Sequence, residues 1–129
     1  MRYINLFFCF YFVSNLVTAD SIYGMVSPSE IRSVYDGDTF TVTISGWPPI
    51  IGDNIKVRVA GVDTPEMRGE CRREIELARR AKKHTVALLR SGHRIELRNM
   101  RRGKYFRIVA DVFVGTQSLS ESLIGAGLG

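Results

Sequence analysis

Glu30-Ile31-Arg32-Ser33-Val34-Tyr35, then Asp36-Gly37-Asp38, then Thr39-Phe40-Thr41-Val42-Thr43-Ile44 is the stretch from which the fold can be read. Glu30–Tyr35 and Thr39–Ile44 read as strands, joined by Asp36-Gly37, a dipeptide favoured in tight hairpin turns. Downstream, Gly46-Trp47-Pro48-Pro49-Ile50-Ile51-Gly52-Asp53 is expected to be a loop from its Gly and Pro content. Ile55, Val57 and Val59 then alternate with Lys56, Arg58 and Ala60, the period-2 pattern of a half-buried strand that Pro65 ends.

Between about Glu70 and Arg90 the period changes. Cys71, Ile75, Ala78, Lys82, Thr85 and Leu89 recur at steps of three and four. Arg72, Arg79, Arg80 and Lys83 lie off that stripe, so the segment is an amphipathic helix with a charged outer face, closed by Gly92. Arg94–Asn99 and Phe106–Val114 read as two more strands, separated by the basic turn Met100-Arg101-Arg102-Gly103-Lys104. Ser118 and Glu121 form a capping box that opens a short helix stopped by Gly125. Three strands, a helix, two strands and a helix, with short connections, predict a small, mainly antiparallel β barrel with helices beside it.

The chain has 129 residues, 45% hydrophobic and 24% charged, which fits one globular domain and excludes disorder throughout. Two cysteines exclude a disulfide-built miniprotein, and with two histidines they disfavour a zinc site of the usual kind. At the N-terminus, Met1-Arg2 precedes the apolar run Leu6–Val13, and Val17-Thr18-Ala19 supplies small residues for cleavage before Asp20. Residues 1–19 therefore read as a signal peptide, and 20–129 as the mature domain. A membrane anchor is the rival reading, but a span needs about 20 apolar residues, and Asn5, Ser14 and Asn15 interrupt this one. Cys9 would leave with the signal, making Cys71 the only thiol of the mature chain. The product is expected to be exported, periplasmic or secreted, without stable membrane insertion.

Charge divides the mature chain. Asp20–Met67 holds three basic residues (Arg32, Lys56, Arg58) against seven acids, whereas Arg68–Arg107 holds 14 basic residues and only Glu70, Glu74, Glu76 and Glu96 as acids. An acidic half beside a basic half suggests a bound cation in the first and a polyanion on the second. A solvated helix face is the plainer account of the basic run. The acids gather in Asp36-Gly37-Asp38-Thr39 and Asp63-Thr64-Pro65-Glu66, and their oxygens suit a hard cation such as Ca²⁺ or Mg²⁺. The twelfth position counted from Asp36 is Trp47, which excludes an EF-hand. Taken singly, Asp-Gly-Asp is a turn, Asp63-Thr64-Pro65 a strand end, and Arg58 and Arg107 solvated strand residues.

Together, three motifs carry a resemblance. Val34-Tyr35-Asp36-Gly37-Asp38-Thr39-Phe40, then Val57–Glu66, then Lys104-Tyr105-Phe106-Arg107 resemble the staphylococcal nuclease family, and the likeness continues through Glu121–Leu128. The resemblance implies a five-stranded OB-fold barrel with three helices. It also implies a Ca²⁺-dependent nuclease that hydrolyses phosphodiester bonds of DNA or RNA to 3′-phosphate products, acting as a monomer. By the same resemblance, Asp38 and Asp63 ligate Ca²⁺ through their carboxylates and Thr64 through its carbonyl, with Asp36 in the outer shell. Glu66 is the general base, Arg58 and Arg107 grip the scissile phosphate, and Lys104 and Tyr105 help hold the nucleotide.

Two departures accompany the resemblance. Phe106 stands where a small Gly is common, which reshapes the wall beside Arg107. The family also continues beyond the equivalent of Gly129 through a strand segment and a final helix. The C-terminal part of the barrel is therefore expected to be missing, with barrel surface uncovered. Two other functional classes stay open: a non-catalytic OB-fold module that binds nucleic acid, and an extracellular calcium-binding or adhesion domain. The acid–arginine set disfavours the first, and the basic segment is unexplained by the second.

Overall fold

The alternation in Thr39–Thr43 becomes burial directly: Phe40 and Val42 are fully enclosed, while the intervening threonines are half-buried. The structure, a computed structural model, describes residues 21–129; the expected signal peptide at 1–19, with Cys9, lies outside the described residues. Its elements run β1 (Glu30–Val34), β2 (Thr39–Thr43), α1 (Pro49–Gly52), β3 (Ile55–Val59), α2 (Arg72–Leu89), β4 (Ile95–Arg102), β5 (Arg107–Val114), β6 (Gln117–Ser118) and α3 (Leu119–Gly125). In β5 the same parity rule buries Ile108, Ala110, Val112 and Val114 on one face.

The strands form one sheet in the order β1-β2-β3-β5-β4, with β6 paired to β5. This corrects the expected five-stranded closed barrel. The fold is mixed α+β with an open, six-stranded sheet, and no ladder joins β1 to β4. The segment before β1 is tied to β4 by an isolated bridge, Val26 to Leu97, and by backbone hydrogen bonds from the Tyr23 N–H to the Met100 carbonyl and from the Met100 N–H to the Gly24 carbonyl. Nor is the sheet wholly antiparallel, because β3 and β5 run parallel with Lys56 beside Arg107 and Arg58 beside Val109. A crossover through α2 and β4 makes that pairing possible, as parallel neighbours require.

The expected uncovered surface at the C-terminal end is corrected as well. Leu119 and Leu123 of α3 are fully buried, and Leu128, whose N–H donates to the Leu123 carbonyl at 2.9 Å, is buried beside them. Ser118 caps α3 as its sequence predicts, its hydroxyl accepting the Glu121 N–H at 3.4 Å.

Several local readings shift for identifiable reasons. β4 runs past Asn99 to Arg102 because the ladder with β5 is interrupted between Arg98 and Arg101, and Asn99 absorbs the irregularity with φ +51. Pro49 opens the single helical turn α1 inside the expected loop, since proline is pre-set for a first helical position. Cys71 is not on the buried stripe of α2. It is the N-cap, exposed, with Sγ accepting the Glu74 N–H at 3.4 Å. The stripe that does pack inward is Ala78, Ala81, Thr85 and Leu89, and Arg72, Arg79, Arg80 and Lys83 face solvent.

Candidate nuclease-like site

The connection between β1 and β2 is wider than a two-residue turn. The Tyr35 N–H donates to the Thr39 carbonyl at 2.9 Å, so Tyr35 through Asp38 form the loop. Asp36, Gly37 and Asp38 are all buried there, against α2. Gly37 makes the approach possible: a Cβ at that position would lie 2.8 Å from both Ala81 Cβ and Thr64 Cγ2. Its carbonyl accepts a 2.6 Å hydrogen bond from Thr85 Oγ1, the one polar group in the buried stripe of α2.

Within the loop the two acids are ordered by each other. The Asp38 N–H donates to Asp36 Oδ1 at 3.1 Å. Burial, together with the adjoining Asp38 carboxylate, pushes the Asp36 carboxyl up from 3.8 to about 6. Asp38 has better partners. Its Oδ2 accepts the Thr64 N–H at 2.9 Å and meets Arg58 Nη1 at 3.0 Å, and its Oδ1 accepts the Thr39 hydroxyl at 3.0 Å.

Arg58 leaves β3 on the face opposite Val57 and Val59, and its guanidinium joins the two acidic segments. Nη1 donates to the carbonyls of Val59 and Val62 at 3.0 and 2.8 Å, while Nη2 donates to Asp63 Oδ1 at 2.9 Å. The two ion pairs differ in weight. Asp63 is 92% exposed, where such a pair contributes about 0–1 kcal/mol. Asp38 is 6% exposed, so removing Arg58 leaves a buried charge unpartnered.

A cleft of about 910 Å³ opens over this pair. Asp36, Asp38, Asp63, Thr64 and Glu66 line it on the acidic side, and Arg58 and Arg107 also reach it. Arg107 Nε is buried and has no hydrogen-bond partner among the described residues, as is true of Thr64 Oγ1. Gly103 holds the Arg107 stem close: its N–H donates to the Arg107 carbonyl at 2.8 Å, and a Cβ there would sit 2.8 Å from Arg107 Cγ. Lys104 and Tyr105 do not line this cleft. They sit on the exposed β4–β5 turn, and Tyr105 has φ +55 and is 92% exposed.

Three cations outside the acid–arginine set also line this cleft: Lys56, Arg68 and Lys82. Lys82 carried a usable signal, since it interrupts an otherwise mostly apolar stripe at a position facing inward. Thr85 carried a similar one, a hydroxyl amid buried apolar neighbours.

The carboxylate and carbonyl oxygens of Asp38, Asp63 and Thr64 are donor types that a hard cation takes, but in this structure both carboxylates are engaged by Arg58. Among the described residues, no group of three or more Asp, Glu, His or Cys side chains forms a metal cage. Among the same residues, no helix is long and apolar enough to cross a membrane.

No curated protein matches the chain at a significant level. A family model, Staphylococcal nuclease homologue, matches residues 56–129, from β3 through α3. That match takes in Arg58, Asp63, Thr64, Glu66 and Arg107, while the Asp36–Asp38 loop lies before it. Covering more than half of the sequence, it places the chain in the staphylococcal nuclease homologue family.

Proposed function

We propose that the chain is an exported, Ca²⁺-dependent nuclease that hydrolyses phosphodiester bonds of DNA or RNA, with residues 20–129 as its working domain. Family membership supports nucleic acid as the partner. The observation that carries the catalytic reading is Arg58 held between Asp38 and Asp63 in a cleft that Glu66 and Arg107 share.

Each residue type suits the chemistry. A phosphodiester is anionic and repels nucleophiles, so positive groups must offset its charge. Arg58 and Arg107 supply planar forks that make paired hydrogen bonds to phosphate oxygens. Their charge matters most as negative charge grows on those oxygens in the transition state. Lys56, Arg68 and Lys82 draw the flanking backbone to the cleft without reading sequence. Glu66, exposed on the rim, accepts a proton from water as that water attacks phosphorus. The bond from phosphorus to the 5′-oxygen breaks, the 5′-oxygen takes a proton from solvent, and the phosphate stays on the 3′ side.

Asp38, Asp63 and the Thr64 carbonyl would hold Ca²⁺, with Asp36 behind them. When bound, the ion polarises a phosphate oxygen as a Lewis acid. Three protein oxygens are fewer than the roughly 6–8 that Ca²⁺ usually takes, so water and substrate must complete the shell. Binding is therefore expected to be weak without substrate.

One observation favours a second reading, a non-catalytic nucleic-acid-binding module. Arg58 is engaged inside the protein by two carboxylates and two carbonyls, which is also how a structural arginine is held. Cleavage of single-stranded and duplex substrates in Ca²⁺, Mg²⁺ and EDTA separates the two. Strong activity in Ca²⁺, weak activity in Mg²⁺ and none in EDTA supports the nuclease. Nucleic-acid binding without cleavage in any of the three supports the module.

A further inference from the structure

A second cavity, of about 500 Å³, shares Arg107 with the first. Its walls are of a different kind: Tyr23, Trp47, Ile51, Met100 and Phe106 give it an apolar, aromatic lining. Arg101, Arg102 and Arg107 contribute to the same lining, and Arg107 alone of these borders both cavities. The Nε atoms of Arg101 and Arg107 are both buried, with no hydrogen-bond partner among the described residues.

The turn that presents Phe106 is built at a conformational cost. Tyr105 and Phe106 are consecutive left-handed residues, with φ +55 and +59. Hairpin turns of that shape ordinarily take Asn or Gly, and a bulky aromatic there is an outlier. Phe106 is nonetheless 70% exposed, so burial in the core does not account for it. Opposite, the Tyr23 N–H donates to the Met100 carbonyl at 2.8 Å, which fixes Tyr23 against β4.

We infer that this cavity is a stacking subsite for an unpaired nucleobase of the strand whose phosphate lies at Arg107. Aromatic faces flanked by arginines are the chemistry by which proteins hold single strands without reading sequence. A base inside a duplex is stacked on its neighbours and cannot enter, so the subsite selects single-stranded over double-stranded nucleic acid. The inference rests on the proposed reading only in placing a phosphate at Arg107. It does not require cleavage.

Trp47, the only tryptophan, lies in this wall and reports on it directly. The test is a titration of the full chain in EDTA with single-stranded oligothymidylate, with a duplex, and with inorganic phosphate, which carries no base. Anisotropy of labelled nucleic acid gives binding independently. The expected result is that the single strand changes Trp47 emission while the duplex and inorganic phosphate do not. Phe106→Gly, which removes the ring and suits the left-handed backbone, should weaken single-strand binding on the order of tenfold. It should leave duplex affinity unchanged.

Unchanged Trp47 emission during single-strand binding, or wild-type single-strand affinity in Phe106→Gly, overturns the inference. A Trp47 emission that depends on the presence of residues 1–19 but not on oligonucleotide also overturns it, by assigning the cavity to that segment. Failure of the nuclease reading shows elsewhere, as absent cleavage in Ca²⁺, and leaves these EDTA measurements intact.

Discussion

Thr85 Oγ1 donates to the Gly37 carbonyl across 2.6 Å, and this single bond ties the middle of α2 to the acidic loop between β1 and β2. Both ends are buried, so neither can turn to water. Thr85→Val keeps the shape and leaves the carbonyl unpaired. It should cost about 1–3 kcal/mol of stability and loosen Asp36 and Asp38 in their cleft. Thr85→Ser retains the donor and should keep the loop in place. Thermal unfolding beside Ca²⁺ titration checks this: an unaltered Ca²⁺ response in Thr85→Val would show that the loop holds itself.

Glu66 is exposed on the rim of the cleft and has no side-chain hydrogen bond among the described residues, so its replacement should not disturb the fold. Glu66→Gln should slow hydrolysis by roughly 10²–10⁴-fold, the usual contribution of a general base, with nucleic-acid affinity nearly unchanged. Parallel losses in turnover and affinity would assign Glu66 to binding instead.

Arg107 should tolerate neither loss of its fork nor displacement of its stem. Arg107→Lys keeps the charge but not the paired hydrogen bonds, and kcat should fall strongly in a folded protein. Gly103→Ala should act in the same direction, because the new Cβ would crowd Arg107 Cγ at 2.8 Å and Val109 Cγ2 at 2.9 Å. An ordinary surface arginine would change stability by within about ±0.5 kcal/mol and leave turnover alone. Wild-type kcat in Arg107→Lys is the result that fits that account.

Asp36 makes the metal-free protein sensitive to pH in a defined sense. Its folded value of about 6 lies above the ordinary 3.8, so the folded state holds a proton that the unfolded chain has lost between those values. The associated stability is fully present below 3.8 and disappears as pH rises through about 6. Asp36→Asn keeps an acceptor for the Asp38 N–H and cannot ionise. In EDTA, its stability relative to wild type should therefore increase from pH 4 to pH 7.5, measured by urea unfolding. A difference that stays constant over that range would mean the carboxyl titrates normally.

Much of the secondary structure was legible because burial follows parity. Val57 and Val59 against Arg58, and Ile108 and Ala110 against Arg107, fall on opposite faces as a period of two requires. Parity does not say whether a sheet closes, which is why the expected barrel is an open sheet. The parallel β3–β5 pairing was equally hidden, since it depends on residues far apart in sequence. At the site, the acids and arginines stood out by type and clustering. Lys82 and Thr85 were marked only as polar breaks in the apolar stripe of α2, and it takes the packed fold to show that Lys82 meets the cleft and Thr85 the carbonyl of Gly37.

The parallel register also fixes when the cleft can exist. Lys56 is beside Arg107 only after α2 and β4 have been made and folded back, so Arg58 waits on a neighbour strand that the ribosome delivers much later. Such long-range closure is intrinsically slow. Until then the emerging chain carries the Asp36–Asp38 loop and Arg58 without the helix and arginine that complete their surroundings. Any activity of this cleft is thus tied to a chain made through β5, and its appearance during refolding would time the docking of β5 onto β3.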